Sequence, residues 1–150
     1  SEASIDPLPV QKPLELWFGG TLRGALRRAG QIGDGYIPGL STPDEGAERK
    51  LLVEAAASEF NRTIDPEHFG VNLTYSRGSL SVAARDALVQ RRPDVDPNKL
   101  VPSSRNALLE TIDAWIDAGY SKFLLRPVTP PPNWTEELEL LASEVLSRQS

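Results

Sequence analysis

Cysteine and methionine are both absent from these 150 residues, and histidine occurs once. Without cysteine there are no disulfides and no thiolate chemistry, so the redox compartment is left open. One histidine and no cysteine give too few ligands for a structural zinc site, and no metal site is expected. Long apolar runs are also missing. Nothing approaches the roughly 18 consecutive apolar residues of a membrane span, and no basic-then-apolar signal pattern stands at the start. Positive charge is in deficit: 16 basic against 21 acidic side chains leave a net charge of −5, which weighs against nucleic acid as the partner. These absences point to a cytoplasmic location and a small-molecule substrate. The lack of methionine extends to position 1. The chain starts Ser1-Glu2-Ala3, which reads as a processed piece or a fragment.

What is present suits one globular domain. With 39% hydrophobic and 25% charged residues, 150 residues can bury a core but leave no room for two domains. Residues 1–13 hold three prolines without periodicity and read as an opening loop. Residues 14–150 then divide into four strand–helix units.

The first unit is the apolar run Leu14–Phe18, stopped by Gly19-Gly20 and followed by a helix. In that helix Leu22, Leu26, Ala29 and Ile32 share one face, with Thr21 as its expected cap and Gly33 as a left-handed end. Tyr36-Ile37 is a very short second strand. Thr42, Pro43 and Glu45 form a capping-box start for the next helix, which is expected to run to about Asn61 and to bury Leu51, Leu52, Ala55 and Phe60. Alternation of Val71, Leu73 and Tyr75 with Asn72 and Thr74 predicts a strand over 70–76. Residues 79–92 read as helix and 93–102 as a proline-rich loop. Ser103 or Ser104 opens a helix with Leu108, Ile112, Trp115 and Ile116 on one face and Gly119 at its end. Lys122–Val128, with Phe123-Leu124-Leu125 at its centre, reads as a strand buried on both faces. Asn133 and Glu136 read as a second capping box, before a final helix carrying Leu138, Leu141, Ala142, Val145 and Leu146.

This alternation implies an α/β fold with a parallel sheet. About four parallel strands alternating with helices make half of a (β/α)8 TIM barrel, or alternatively a small open sheet. In either, ligands sit at the C-terminal ends of strands. Four loops qualify. Gly19-Gly20-Thr21 combines glycines that admit close approach with a helix N-terminus, so it reads as an anion site or as a plain tight turn. Pro38–Thr42 has the same layout, with simple capping as the alternative. Arg77, just past the third strand, can grip a phosphate or carboxylate, or stay solvated. Arg126, ending the last strand, faces a ligand or pairs with a carboxylate. Lys99 and Arg105 offer further positive charge or are solvated. Asp94, Asp96 and Asn98 imitate a calcium loop, but Lys99 and Arg105 stand where glycine and glutamate are needed. His68 lacks partners at catalytic spacing and reads as a surface residue. The three sequons, at Asn61, Asn72 and Asn133, read as chance.

Taken in order, Leu16–Thr21, Ala25–Gly30 and Gly33–Pro38 resemble the central segment of the luciferase-like monooxygenases. Ile112–Val128 and Trp134–Leu146 resemble that family's last helix, last barrel strand and final helix. The likeness is strongest to the branch dependent on the deazaflavin coenzyme F420. It implies the C-terminal half of a TIM barrel and a two-electron redox reaction on coenzyme F420, with FMN as the alternative. It places Gly19, Gly20 and Thr21 against the cofactor's phosphate side and, more loosely, Gly39, Leu40 and Ser41. Some F420 enzymes have a lysine in that second loop where this chain has Thr42, so Lys99 or Arg126 is the candidate replacement. The family's proton-transfer residues come mostly from the other half, so no catalytic residue is assigned. The implied partner is the N-terminal half-barrel or a second copy, and activity is expected only with a complete barrel. A non-catalytic half-barrel that binds no cofactor is the competing reading. A small α/β protein holding another phosphorylated ligand at Gly19–Thr21 is a third.

Overall fold

The computed structural model describes residues 7–148; the start at Ser1, most of the opening loop's first half and the last two residues lie outside it. Residues 7–13 are exposed and irregular, in keeping with a loop. Four strands follow: β1 (Trp17–Gly19), β2 (Gly35–Ile37), β3 (Gly70–Tyr75) and β4 (Lys122–Pro127). Between and after them lie α1 (Arg23–Ile32), α2 (Pro43–Glu59), α3 (Val82–Arg91), the short α4 (Pro97–Leu100), α5 (Arg105–Asp117) and α6 (Trp134–Val145). The proline-rich 93–102 stretch is therefore not wholly loop, because Asp96 caps one helical turn through its side chain and Pro97 starts it.

β1 pairs with β2, and β3 with β4, both in parallel. An isolated parallel bridge from Tyr36 to Phe69 joins the two pairs. The strands thus lie side by side in chain order, β1-β2-β3-β4. Each strand beside its predecessor, with helices in the connections, is how a barrel winds; a doubly wound sheet reverses direction midway.

Register divides the side chains between two faces, because residues paired across parallel strands point the same way. Phe18, Tyr36, Phe69, Val71, Leu73 and Tyr75 face the helices. Tyr36, Phe69, Val71 and Tyr120 join Leu26, Ala29, Val53 and Trp115 in one apolar cluster, and Leu73 and Tyr75 join Leu108 and Ile112 in another. The opposite, concave face carries Trp17, Ile37, Asn72, Thr74, Lys122, Leu124 and Arg126. Trp17 lies across Gly35, where a Cβ would meet its ring at 2.4 Å, and touches the space over Gly70. Its ring also leans on His68 at 5.3 Å between centroids.

Several expectations change against this frame. β4 alternates between exposed and half-buried residues instead of being covered on both faces, since Lys122, Leu124 and Arg126 look into the open concave side. α2 buries Gly46, Val53, Ala56 and Ala57, leaving Leu51 and Leu52 exposed, because its orientation is set by close packing on α1 and α5. There, a Cβ on Gly30 would clash with Val53 and Ala57 of α2, and a Cβ on Gly46 with Trp115 of α5. Leu22, Ile32, Ile116, Leu138 and Leu146 are likewise exposed. α1 is capped by the backbone of Leu22 with no side-chain bond, and Gly33 takes an extended conformation with φ −81° instead of a left-handed one. Asn133 caps α6 by accepting from the Thr135 N–H while its amide donates to Glu136. The Thr42–Glu45 capping box and the Ser104 cap occur as expected, and α5 ends just before Gly119, which has a positive φ of 84°.

Candidate functional site

At the C-terminal end of β1 the chain turns sharply through Gly20, whose φ of +108° is a backbone conformation that favours glycine. The Tyr36 hydroxyl, from the neighbouring strand, donates to the Gly20 carbonyl oxygen at 2.6 Å. Burial pushes the Tyr36 phenol up to about 12, so it remains a donor at ordinary pH. The turn then leads into α1, whose first N–H groups have no side-chain cap. Uncapped amides at a helix start carry partial positive charge and accept an anion. The arginines of α1 and the absence of acidic residues from its first turn add to that potential.

The loop after β2 lies alongside. A Cβ at Gly39 would stand 3.9 Å from the Thr21 methyl. Two guanidinium groups fasten this loop. Arg49 donates to the nearly buried Ser41 hydroxyl. Arg92 donates to the Leu40 carbonyl oxygen at 2.7 Å and to both carboxylate oxygens of Glu45 at 2.7 and 3.2 Å. Burial opposes ionisation of Glu45, but the Arg92 and Thr42 bonds outweigh it and hold the carboxyl below its usual range. The N-terminus of α2 is accordingly closed by its own box, whereas that of α1 is open. Sequence reasoning passed over Arg49 and Arg92. Arg92 lies 52 residues from Leu40, and no local pattern signals such a contact.

The other candidates separate. Arg126 sits at the end of β4 on the concave face, opposite Thr74 in register, and makes no ion pair among the described residues. Lys99 lies on α4 and lines a different cavity of about 720 Å³ with Thr42, Asp44, Glu45, Asp94, Asp96 and Glu110. That lining is acidic, and it includes none of Gly19–Ser41. Arg77 is occupied: it bonds Glu137 and Glu144 of α6 at 3.0 Å each, and Arg105 also pairs with Glu144 at 3.0 Å. These arginines hold α6 in place. His68 lies just before β3, at the opposite end of the strands, with Nδ1 2.9 Å from the Asp34 carbonyl oxygen, so Nδ1 carries a proton there. Asp94 and Asp96 serve Arg92 and the α4 cap. Among the described residues no group of acidic, histidine or cysteine side chains is arranged to hold a metal ion, and no helix is long and apolar enough to cross a membrane.

Comparison with known proteins bears on the whole chain. The family model for luciferase-like monooxygenases matches residues 1–114. No curated protein matches. Among solved structures, the fold is similar to an F420-dependent secondary alcohol dehydrogenase in complex with an F420–acetone adduct, at 15% identity and a TM-score of 0.68, covering 99% of this chain and 52% of that one. It is similar to the coenzyme F420-dependent tetrahydromethanopterin reductase from Methanopyrus kandleri, at 16% identity and a TM-score of 0.65, covering 91% and 51%. It also resembles the oxygenating constituent of 3,6-diketocamphane monooxygenase from a Pseudomonas putida plasmid, in complex with FMN, at 17% identity and a TM-score of 0.61, covering 91% and 49%. These are TIM-barrel folds, and the chain spans about half the length of each.

Proposed function

Since the chain belongs to the luciferase-like monooxygenase family, we propose that it holds the phosphate end of a two-electron redox cofactor, coenzyme F420 or FMN, in a cytoplasmic oxidoreductase. The observation that carries this reading is the open N-terminus of α1 behind the positive-φ Gly20 turn. Backbone N–H groups there have no competing side-chain acceptor, and Gly20 has no side chain to bar a phosphate oxygen. Gly19, Gly20 and Thr21 form the floor of this site. Gly39, Leu40 and Ser41 form its second wall, kept in position by Arg49 and Arg92. Lys99 stands outside the group, in its acidic cavity.

The cofactor, when bound, supplies the hydride chemistry. This chain's part is to anchor and orient the cofactor's tail. The ring-facing and proton-transfer groups belong to the remainder of the barrel, so activity requires a second half.

Titration with FMN, with riboflavin and with coenzyme F420, read by fluorescence, tests the proposal. FMN or F420 is expected to bind, and riboflavin, which lacks the phosphate, at least ~10-fold more weakly, about 1.4 kcal/mol. Gly20→Val should abolish the difference. Equal affinity for FMN and riboflavin rejects the phosphate site. No binding of either cofactor, even by a complete barrel, favours a non-catalytic half-barrel instead.

A further inference from the structure

The four strands contain no aspartate or glutamate, in a chain with 21 acidic side chains. Their only two cations are Lys122 and Arg126, both on β4 and both at concave positions. The strand side chains of the concave face are therefore positive, although the chain as a whole is negative. Such a surface attracts an anion. Lys122 belongs to the N-terminal end of the strands, where it donates to the Glu67 carbonyl oxygen and lies 3.8 Å from the Glu67 carboxylate. Arg126 stands at the C-terminal end. It is exposed, and it makes no ion pair or side-chain hydrogen bond among the described residues.

The backbone at Arg126 is fixed. Arg126 pairs with Thr74 in register, and the ladder continues past it, with the Val128 N–H donating to the Tyr75 carbonyl oxygen at 2.8 Å. Pro127 restricts the residue before it to an extended conformation. The guanidinium thus starts from a defined point on the inner face, at the rim. In a (β/α)8 barrel the inner side chains below the rim pack against one another, and those at the C-terminal rim face the ligand. This placement follows from β3 and β4 alone, whatever closes the rest of the barrel.

We propose that Arg126 is a specificity-determining residue for the substrate, and that the substrate is a small carboxylate with an apolar body. The proposal rests on the cofactor reading above, since it names the molecule that meets the reacting end of that cofactor. Arg126 is set apart from the phosphate turn. Gly20 follows β1, and β4 is three strands further along the order β1-β2-β3-β4. At about 4.8 Å per strand, the two lie roughly 14 Å apart along the sheet. The α1 amides also belong to the helix layer outside the strands, whereas Arg126 is on the inner face. A cofactor whose tail is anchored at β1 and β2 turns its reacting end toward that inner face.

The neighbouring groups select the chemistry. A planar guanidinium matches a carboxylate through two parallel N–H bonds. Thr74, half-buried beside Arg126 in register, adds one hydroxyl. One guanidinium and one hydroxyl suit a single negative charge, and the second charge of a phosphate is left unmatched. Leu124, two residues below Arg126 on the same face and half exposed, offers contact to an apolar body.

Calorimetric titration of the complete barrel, loaded with FMN or F420, tests the proposal. The probes are benzoate and octanoate, each against its amide. At least one carboxylate should bind ~10-fold or more tightly than its amide. Arg126→Gln should erase that preference and leave FMN and F420 affinity unchanged. Arg126→Lys should keep part of it, as a point charge without the planar fork. Phenylglyoxal labelling, read by mass spectrometry, is a second measure that needs no cofactor. The favoured carboxylate should shield Arg126 and leave the exposed Arg23 and Arg28 of α1 as reactive as before. Equal binding of acid and amide for both probes overturns the proposal. So does an Arg126→Gln variant that loses affinity for FMN but not for riboflavin, because Arg126 then serves the cofactor's phosphate. So does a loss of urea stability in that variant with the acid preference intact, the mark of an arginine held by an acid of the remaining barrel. If neither cofactor binds and Arg126 is still shielded, the cofactor reading fails and the carboxylate site stands without it.

Discussion

Tyr36 and Gly20, sixteen residues apart, are joined by a 2.6 Å hydrogen bond from the phenol to the carbonyl oxygen. The bond ties the turn after β1 to the strand beside it, and so fixes the direction in which the α1 amides point. Tyr36→Phe removes the donor and leaves the carbonyl partly buried without it. We expect a loss of about 1 kcal/mol in urea unfolding. A several-fold loss of FMN or F420 affinity should accompany it, larger than any change at the barrel's other end.

The protein has three tyrosines, and all are held protonated beyond the ordinary value of 10.0. Burial is the main cause for each; a bond to Glu137 adds to it for Tyr75. A phenol whose folded value is raised contributes stability that is intact below the unfolded value and lost as pH rises through the folded one. Stability should therefore decline above about pH 10. Phenolate absorbance should stay flat just above that pH and then rise together with the loss of helical circular dichroism. A free titration of even one tyrosine near pH 10, in folded protein, would contradict the burial of its ring.

Glu137 is nearly buried and accepts from Tyr75 at 2.5 Å and Arg77 at 3.0 Å. Burial alone would raise its carboxyl, but the bonds from Tyr75 and Arg77 prevail and lower it from the model-compound value of 4.5. The sign is opposite to that of the tyrosines. The contribution is present above about pH 4.5 and disappears as pH falls through the lower folded value. Glu137→Gln should destabilise the protein by about 2 kcal/mol at neutral pH, less than for a fully buried ion pair because Arg77 stays partly in water. The variant should also show a shallower loss of stability in acid. Detachment of α6 would appear first, as increased amide exchange in 134–145.

Gly46 packs against the Trp115 ring, with a built Cβ only 2.1 Å from Cζ3. Gly46→Ala should cost about 2 kcal/mol through overpacking, despite alanine's better helix propensity. Trp115→Phe removes the obstructing atoms and is destabilising on its own. In the double variant the two costs should fall short of adding by about 1 kcal/mol, measurable by a double-mutant cycle in urea. Strict additivity would mean that the helices move apart instead of meeting at these two residues.

Much of the chain's organisation was legible residue by residue. The capping box at Thr42 and Glu45, the cap at Ser104 and the end of α5 at Gly119 each depend on groups a few positions apart, and each occurs where the sequence puts it. The ends of β1 and β2, which hold the Gly20 and Gly39 loops, were placed on the same grounds. The Thr21 cap failed even locally: the backbone of Leu22 starts α1, and the threonine side chain faces out. For α2, a run of leucine and alanine offers more than one possible apolar face, and contact with α1 and α5 selected Val53, Ala56 and Ala57 over Leu51 and Leu52. β4 was apolar enough to be read as covered on both sides, yet among the described residues the face that carries Lys122, Leu124 and Arg126 is left uncovered.

The sequence by itself determined the order of strands and helices, the glycine turn ahead of α1, and the family likeness. These follow from periodicity, capping and backbone freedom, which act over a few residues. Only the tertiary structure decided which charges are available to a ligand or a partner. Arg77 finds its carboxylates 60 and 67 residues away, and Arg92 its carbonyl 52 residues away, while Arg126 finds none among the described residues. A guanidinium reads the same in sequence whether it is neutralised or free. Its state depends on which distant acid the fold brings within about 3 Å, and chain order does not encode that distance.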